Sequence, residues 1–283
     1  MRKVQGAVAV ITGAGSGIGR ALARDLASRG AQLALADVNS AGLDETANKL
    51  GSAKARTYVV DVSSPSAVHN FARAVEQDFG KVSLLINNAG VALYGTFAEL
   101  TLEEMQWLIN INFWGVIHGC KFFLPLLQRQ PEAHIVNISS VFGLIGPPGQ
   151  SMYASSKFAV RGFSESLREE LRSTGVRVTC VHPAGIATRI AENARPGAAT
   201  RVEEYAQVRE RFAQVATIPP AEAAQVIMRG ILGNKDRVLI GRDAYRIDFL
   251  QRLLPLRANG MLSAWLMKRI EKDAERVVVA AKQ

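Results

Sequence analysis

The most regular feature of this sequence is a short apolar run followed by a helical stretch, a pattern repeated from Ala7 to Ile240. Most of these runs are apolar on both faces, which is typical of strands in a parallel sheet. The predicted strands are Ala7–Thr12, Gln32–Asp37, Arg56–Asp61, Val82–Asn87, His134–Ser139, Val176–His182 and Arg237–Ile240. The predicted helices are Gly17–Arg29, Ala41–Leu50, Pro65–Phe79, Met152–Ser173 and Ala221–Leu232, with one more that Thr101 caps together with Glu104.

This alternation indicates a sheet covered by helices on both faces, with right-handed crossovers between its strands. We therefore predict an α/β fold in residues 1–241, a single doubly wound, Rossmann-like domain with a seven-stranded parallel sheet. Two segments do not fit the alternation. The polar segment Ile186–Thr217 predicts a flexible flap. The segment Tyr245–Arg276 predicts a helical tail within a C-terminal extension, 242–283, packed on or beside the domain.

The composition narrows the class of protein. Of the 283 residues, 48% are hydrophobic and 21% charged, which excludes a disordered or fibrous chain. Cys120 and Cys180 form no CxxC motif and have no nearby histidine cluster, so we expect reduced, buried thiols and no metal site. No apolar run approaches the length of a membrane span. We expect a cytoplasmic protein, at most peripheral to a membrane.

The formal net charge of +9 favours anionic partners such as nucleotides, acyl carriers, nucleic acid or acidic lipid. No motif supports a nucleic-acid binder, so we predict no nucleic-acid partner. In the C-terminal tail, basic residues are interleaved with large apolar ones, and this pattern allows contact with an anionic membrane surface. We favour the alternative that the tail is a lid over its own pocket or an oligomer contact.

A glycine-rich turn, Thr12–Gly19, separates the first strand from the first helix. Glycines let the backbone turn sharply and let a pyrophosphate approach, and the N–H groups at the helix start favour the anion. The turn alone is weak evidence, but the strand, the helix and an acid ending the second strand favour dinucleotide binding over a plain tight turn. The candidate binding residues here are Gly13, Gly15, Ser16, Gly17, Ile18 and Gly19.

Asp37 ends the second strand, where a carboxylate accepts hydrogen bonds from both ribose hydroxyls and repels a 2′-phosphate. NAD is therefore predicted, although Arg20 and the basic charge leave NADP as the alternative. Another interpretation of Asp37 is a helix N-cap. Asp61 and Val62 end the third strand. Either a polar side chain there meets the adenine, or Asp61 or Ser63 caps the next helix.

Tyr153 and Lys157 lie four residues apart, on one face of the predicted long helix. A nearby ammonium favours the phenolate, so we expect the pKa of Tyr153 to be lowered and the phenol to exchange a proton with an alcohol or carbonyl oxygen. Alone, this spacing is common and is typical of surface helix residues.

Further motifs follow in order: NNAG at Asn87–Gly90, Asn112 in N-x-x-G, and Ser140 in IVNISS. With the glycine turn, Asp61-Val62 and the Tyr153–Lys157 pair, the sequence resembles the short-chain dehydrogenase/reductase family, in its single-domain NAD-type branch. The resemblance extends from about Gln5 to Gly241.

The resemblance implies a role for each matched residue. Tyr153 is the acid/base, and Lys157 lowers its pKa and binds the nicotinamide ribose. Ser140, rather than its neighbour Ser139, bonds the reacting oxygen, and Asn112 holds a water on the proton path. Asn87 braces the sheet. The remaining cofactor contacts implied are Asn88, Ala89, Gly90, Pro183, Gly185, Ile186 and Thr188. Ala184 departs from the family, which usually has glycine directly after the proline.

The prediction is an oxidoreductase using NAD that interconverts a hydrophobic secondary alcohol and its ketone. The apolar side chains expected to face the substrate, or else to pack in the core, are Val91, Leu93, Tyr94, Val141, Phe142, Leu144, Ile145 and Met152. The alternatives are a 3-oxoacyl thioester reductase using NADPH and a non-catalytic nucleotide-binding scaffold. By resemblance, we also expect a homo-dimer or homo-tetramer, formed through the Thr101 and Met152 helices.

Overall fold

A computed structural model describes residues 3–190 and 192–265 of the chain. Its centre is a seven-stranded parallel sheet with the order β3-β2-β1-β4-β6-β7-β9. The strands are β1 (Val8–Thr12), β2 (Gln32–Asp37), β3 (Ala55–Val59), β4 (Leu84–Asn87), β6 (Ala133–Ile138), β7 (Val176–Pro183) and β9 (Arg237–Ile240). The order reverses beside β1, between β1 and β4, and such a switch point opens a crevice at the carboxyl ends of the strands.

Two helical layers cover the sheet. The helices are α1 (Gly17–Ser28), α2 (Ser40–Ala47), α3 (Pro65–Phe79), α4 (Leu102–Ile109), α5 (Gly115–Gln128), α6 (Ser151–Glu170), α7 (Val202–Val215), α8 (Pro220–Leu232) and α9 (Arg242–Leu253). Leu22 of α1 and Ile227 of α8 share one core cluster with β1 and β2. Phe71 of α3, Phe123 of α5 and Val160 of α6 share the cluster on the opposite face. The predicted doubly wound fold is confirmed.

The segment predicted as a flap contains regular structure. Its short strand β8 (Arg195–Pro196) pairs in parallel with β5 (Leu93–Tyr94), and α7 follows within the same segment. The guanidinium of Arg195 lies 3.9 Å from the centre of the Trp107 ring, and the Tyr205 hydroxyl donates to the Ala194 carbonyl. The first contact holds the segment against α4, and the second links α7 to the strand region before it within the same segment. The segment thus contains a strand and a helix, and its flexibility stays a prediction.

The helix that begins after Thr101 has an irregular centre. Thr101 and Glu104 form the predicted capping box at its start. Between α4 and α5, residues Asn110–Trp114 form a π-helical segment, in which the Gly115 N–H donates to the Asn110 carbonyl five residues earlier. Such bulges insert one extra residue into a helix and are frequent at functional sites.

The C-terminal extension begins with α9, and residues 258–265 are helical again. Arg237 on β9 pairs with Asp248 of α9 and, at 3.1 Å, with Glu165 of α6, so the extension is tied to the domain. The rest of the predicted tail, from residue 266 onwards, lies outside the described residues. None of the described helices combines the length and hydropathy that crossing a membrane requires. The prediction of free, buried cysteines is confirmed for Cys120 and Cys180.

Candidate active site

The glycine turn between β1 and α1 is packed too tightly for side chains. Gly13 has φ of +66°, and a Cβ there would lie 2.8 Å from the Cα of Ala89. At Gly19 a Cβ would lie 2.1 Å from the Gly13 carbonyl oxygen, so this glycine packs directly against the backbone of the turn. Ser16 precedes α1 without a side-chain cap, which leaves the first N–H groups of the helix for an anion.

Asp37 is aimed at the glycine turn. Its Oδ2 accepts from the Gly15 N–H at 2.8 Å, and its Oδ1 accepts from the Asn39 N–H at 3.0 Å. The N-cap of α2 is Asn39, whose side chain accepts from the Gly42 N–H. The N-cap interpretation of Asp37 is therefore wrong, and its carboxylate lines the crevice.

Arg20, the cation beside this acid, is already paired. Its guanidinium contacts the Glu45 carboxylate at 2.5 Å, donates to Thr46 Oγ1 at 3.0 Å and reaches the Gly15 carbonyl. Glu45 also binds Lys49, and the hydrogen bonds from Lys49 and Arg20 lower its pKa to about 2. Arg20 is thus held against Glu45 and the turn.

Asp61 also borders the crevice but does not cap a helix. Its Oδ1 accepts from the N–H of Ser63 at 2.9 Å and from the Ser63 hydroxyl at 2.7 Å. The cap of α3 is Ser64, whose hydroxyl accepts from the Ala67 N–H. The cap interpretation of Asp61 is therefore wrong as well.

A cavity of ≈ 540 Å³ lies at the carboxyl ends of the strands. The predicted cofactor residues that line it are Gly13, Gly15, Ser16, Gly17, Ile18, Asp37, Asp61, Val62, Asn88, Ala89, Gly90, Tyr153, Lys157, Pro183, Gly185, Ile186 and Thr188. Gly19, which was also predicted to bind the cofactor, does not line the cavity and packs against the backbone of the turn instead. Lining residues that the sequence did not single out for binding include Val38, Asn39, Ile111, Arg189, Ile190 and Asn193. Val38 and Asn39 could have been found from their place directly after Asp37.

The end of β4 is joined to the glycine turn. Asn88 Nδ2 donates to the carbonyls of Thr12 and Gly13, and the Thr12 hydroxyl accepts from the Asn88 N–H. One residue earlier, the buried Asn87 side chain donates to Asn137 Oδ1 on β6 at 2.9 Å. Asn87 therefore links two strands of the sheet, as the resemblance implied, while Asn88 fixes the wall of the cavity.

Tyr153 and Lys157 both reach this cavity from α6. The Lys157 Nζ lies 5.7 Å from the centre of the Tyr153 ring and donates to the Ile138 carbonyl at 3.2 Å. Burial lowers the pKa of Lys157 to about 8. Burial also raises the pKa of Tyr153, although a hydrogen bond with Ser140 opposes that shift. The phenol pKa is therefore raised, not lowered as expected, because desolvation outweighs the hydrogen bond with Ser140.

The two serines after β6 have different partners. The Ser139 hydroxyl donates to the Lys157 carbonyl at 2.8 Å and so anchors α6. Ser140 starts a short 3₁₀ turn, its hydroxyl accepting from the Phe142 N–H, and the same hydroxyl bonds Tyr153. His182 was not predicted to contribute to the site, yet its Nδ1 donates to the Ser140 carbonyl at 3.0 Å. Because burial lowers the pKa of His182 to about 4, this imidazole is neutral at physiological pH.

Asn112 is fully buried in the π-helical segment. Its side chain accepts from the Val91 N–H at 2.8 Å and donates to the Val91 carbonyl and the Ser156 hydroxyl. A Cβ on Gly90 would lie 3.2 Å from Asn112 Oδ1 and 3.4 Å from Lys157 Nζ. The amide oxygen and the ammonium therefore border the same glycine on the cavity wall.

The apolar residues expected to face the substrate divide into two groups. Leu93, Leu144 and Ile145 are buried in core clusters, so the core interpretation is correct for them. Val91 lines the cavity, and the Phe142 ring meets the Tyr153 ring edge-on at 6.1 Å. Within the described residues, no group of three or more His, Cys, Asp or Glu side chains is placed to hold a metal ion.

Sequence comparisons agree with this geometry. A family model for short chain dehydrogenases matches residues 7–199. The chain is 42% identical over 273 residues to the putative oxidoreductase SadH of Mycobacterium tuberculosis, and the match covers 95% of this chain and 98% of that protein. It is 33% identical over 267 residues to estradiol 17-beta-dehydrogenase 11 of Homo sapiens, with coverage of 92% and 83%.

Solved structures are similar as well. A short chain dehydrogenase/reductase from Burkholderia phymatum in complex with NAD has a TM-score of 0.83 and 33% identity, and the match covers 89% of this chain and 95% of that one. An alcohol dehydrogenase from Thermococcus sibiricus complexed with 5-hydroxy-NADP has a TM-score of 0.70 and 28% identity, with coverage of 83% and 95%. Relatives of this fold thus hold either dinucleotide. The chain belongs to the short-chain dehydrogenase/reductase family of oxidoreductases.

Proposed function

We propose that this oxidoreductase uses NAD to interconvert a hydrophobic secondary alcohol and its ketone, with Tyr153 as the group that takes and returns the proton. The observation that carries the proposal is that Tyr153 and Lys157 line one cavity together with the glycine turn and Asp37, with Ser140 hydrogen-bonded to Tyr153. A dinucleotide spans such a crevice at the switch point of a doubly wound sheet.

The residues of the chain divide the work of the reaction. The bound dinucleotide supplies the hydride acceptor or donor. Ser140 holds the substrate oxygen next to Tyr153 Oη, which takes the hydroxyl proton in oxidation and donates a proton in reduction. Lys157, charged below a pKa of about 8, stabilises the phenolate. Asn112, which borders the same glycine as Lys157, fixes the wall along which the proton leaves for solvent.

Two observations support NAD over NADP. The Asp37 carboxylate lines the cavity and is held by the Gly15 N–H, where it would bond ribose hydroxyls and repel a 2′-phosphate. Arg20, a cation that lines the same cavity, is paired with Glu45. The chain therefore offers a negative charge, rather than an available positive one, at this position.

The apolar wall beside Tyr153 supports the proposed substrate class. Phe142 packs against the phenol, and Val91 and Ile190 line the cavity. Estradiol, in the name of one relative, is a lipophilic secondary alcohol. We further propose self-association through the α4–α5 and α6 helices, where Trp114 is 45% and Phe158 is 38% exposed. Light scattering of the purified protein tests that assembly.

The decisive experiment replaces Tyr153 with phenylalanine. Tyr153→Phe removes only the hydroxyl, so we expect NADH formation with a panel of lipophilic secondary alcohols to fall by roughly 10²–10⁴-fold while NAD binding is retained. The matched control is Tyr245→Phe, which removes a hydroxyl from an exposed tyrosine. Normal turnover by Tyr153→Phe would refute the mechanism. Wild-type protein that binds NAD but oxidises none of the alcohols and reduces none of the ketones would favour a scaffold, and a strong preference for NADPH with 3-oxoacyl thioesters would favour the thioester reductase.

A further inference from the structure

The outer side of the C-terminal extension exposes several large apolar side chains. Tyr245, Phe249 and Leu253 are each about 60% exposed and lie four residues apart, on one face of α9. Leu256 is 97% exposed at the bend after α9, and Met261 is exposed in the helical residues that follow. The tail face is defined as these five residues together with the neighbouring arginines Arg242, Arg246, Arg252 and Arg257.

The tail face carries a net positive charge. At 100° per residue, the three arginines on α9 fall on the same side of the helix as Tyr245, Phe249 and Leu253. Within residues 242–261, two aspartates offset part of the charge of the four arginines, which leaves a net charge of +2. Asp248 is turned inward to Arg237 and also pairs with Arg252, and Asp243 lies 3.8 Å from Arg246.

The opposite side of the same segment is already packed on the domain. Ile247, Ala258 and Leu262 are buried with Leu144 and Ile145, in the loop that follows Ser140. Asn259 fastens the segment through hydrogen bonds with both backbone groups of Gly146. The tail face is therefore the outer side of a segment that is packed on the domain.

We propose that the tail face docks on an anionic lipid bilayer. Aromatic and leucine side chains enter the headgroup–acyl boundary, while arginines at the same level bind lipid phosphates, so the mixture fits this surface. A second copy of the chain fits poorly, because a two-fold contact would place these arginines against one another. An exposed apolar side chain such as Leu256 at a bend can enter a bilayer without disturbing the fold.

Docking would bring the substrate end close to the membrane. The inner side of the segment contacts the loop that begins at Ser140, so lipophilic alcohols dissolved in the bilayer would have a short path to Tyr153. This consequence rests on the proposed function, whereas the docking itself does not.

The test is flotation of the full chain with vesicles at physiological salt. We expect binding to phosphatidylcholine vesicles that contain phosphatidylglycerol, little binding to phosphatidylcholine alone, and release at high salt. Arg242→Gln/Arg257→Gln should weaken partitioning by roughly 30-fold, from about 1 kcal/mol per arginine at an anionic surface. The control with the same loss of charge is Arg129→Gln/Arg172→Gln, at exposed arginines elsewhere on the domain.

A second pair of variants tests the apolar contribution. Phe249→Ser/Leu256→Ser should weaken binding at least about tenfold, whereas Phe97→Ser/Val202→Ser, at equally exposed positions outside the tail face, should not. Oxidation of a water-soluble alcohol serves as a separate readout, which the tail variants should leave unchanged. Equal binding to both kinds of vesicle, no effect of the tail variants, or loss of self-association in those variants would each overturn the proposal.

Discussion

Lys157 is a buried ammonium whose removal we expect to stabilise the protein while abolishing its activity. The side chain is 3% exposed, and burial lowers its pKa from 10.5 to about 8. Below pH 8 the lysine is charged in both states, so the folded state bears a desolvation cost of about 3 kcal/mol. Methionine has a similar length and no charge. It would leave the Ile138 carbonyl without its donor, which costs about 1 kcal/mol.

The net prediction for Lys157→Met at pH 7 is therefore a gain of about 2 kcal/mol in the free energy of unfolding. The pH dependence has a definite sign. Between pH 8 and 10.5 the unfolded chain binds a proton that the folded chain has released, so the wild type gains stability as pH rises. The advantage of the variant should shrink through this window and vanish or reverse above it.

Urea denaturation of both proteins at about pH 7 and about pH 10 measures this difference. The control is Lys121→Met at an exposed position of α5, which should change stability by less than about 0.5 kcal/mol. Alcohol oxidation by Lys157→Met should be lost at both pH values. A variant less stable than wild type at neutral pH, or a stability difference that does not change with pH, would refute the reasoning.

Three further outcomes are expected. Gly19→Ala should lower the free energy of unfolding by at least about 2 kcal/mol in urea titration, because its Cβ would meet a backbone carbonyl at 2.1 Å. The control is Gly162→Ala, at an exposed helix position with open space around it, which should raise the free energy of unfolding by up to about 1 kcal/mol. Arg237→Met removes the ion pairs that tie α9 to the domain, so limited proteolysis should cleave the extension faster; an unchanged cleavage rate would contradict this. Burial raises the pKa of Cys120 to about 12 and of Cys180 to about 11, so a thiol reagent should label both only after denaturation, and rapid labelling of the folded protein would contradict that burial.

The sheet could be predicted from sequence because its strands are locally encoded. Most are buried apolar runs, although β3 is largely exposed, and the place of each follows from the alternation with helices, so all seven central strands and their doubly wound arrangement were foreseen. The pairing of Leu93–Tyr94 with Arg195–Pro196 was not, because two-residue strands far apart in sequence leave no periodic pattern. In Val202–Val215, by contrast, apolar residues recur at helical spacing within a polar segment, and that signal was overlooked.

The candidate site divides in the same way. Residue types at fixed offsets, such as the glycines of the turn and the Tyr153–Lys157 pair, place cavity-lining groups from sequence alone. The pKa of a side chain, which depends on the balance between desolvation and nearby polar groups, does not follow from the spacing of residues along the sequence. The ammonium one turn from the phenol was expected to lower its pKa, but the sequence could not show that desolvation in the fold would raise it. The contact of His182 with the Ser140 carbonyl depends on a neighbouring strand and was equally hidden.

The π-helical segment sets a constraint on length within the helix that runs from Leu102 to Gln128. Its surplus residue keeps Asn112 in phase with Val91 and Ser156 while the turns on either side remain regular. Deleting one residue there would remove the wide turn and restore ordinary winding, so that the Asn112 amide would lose its alignment with Val91 and Ser156 while the flanking turns keep theirs. The number of residues in this segment therefore determines the orientation of the Asn112 amide as much as the identity of the residue does.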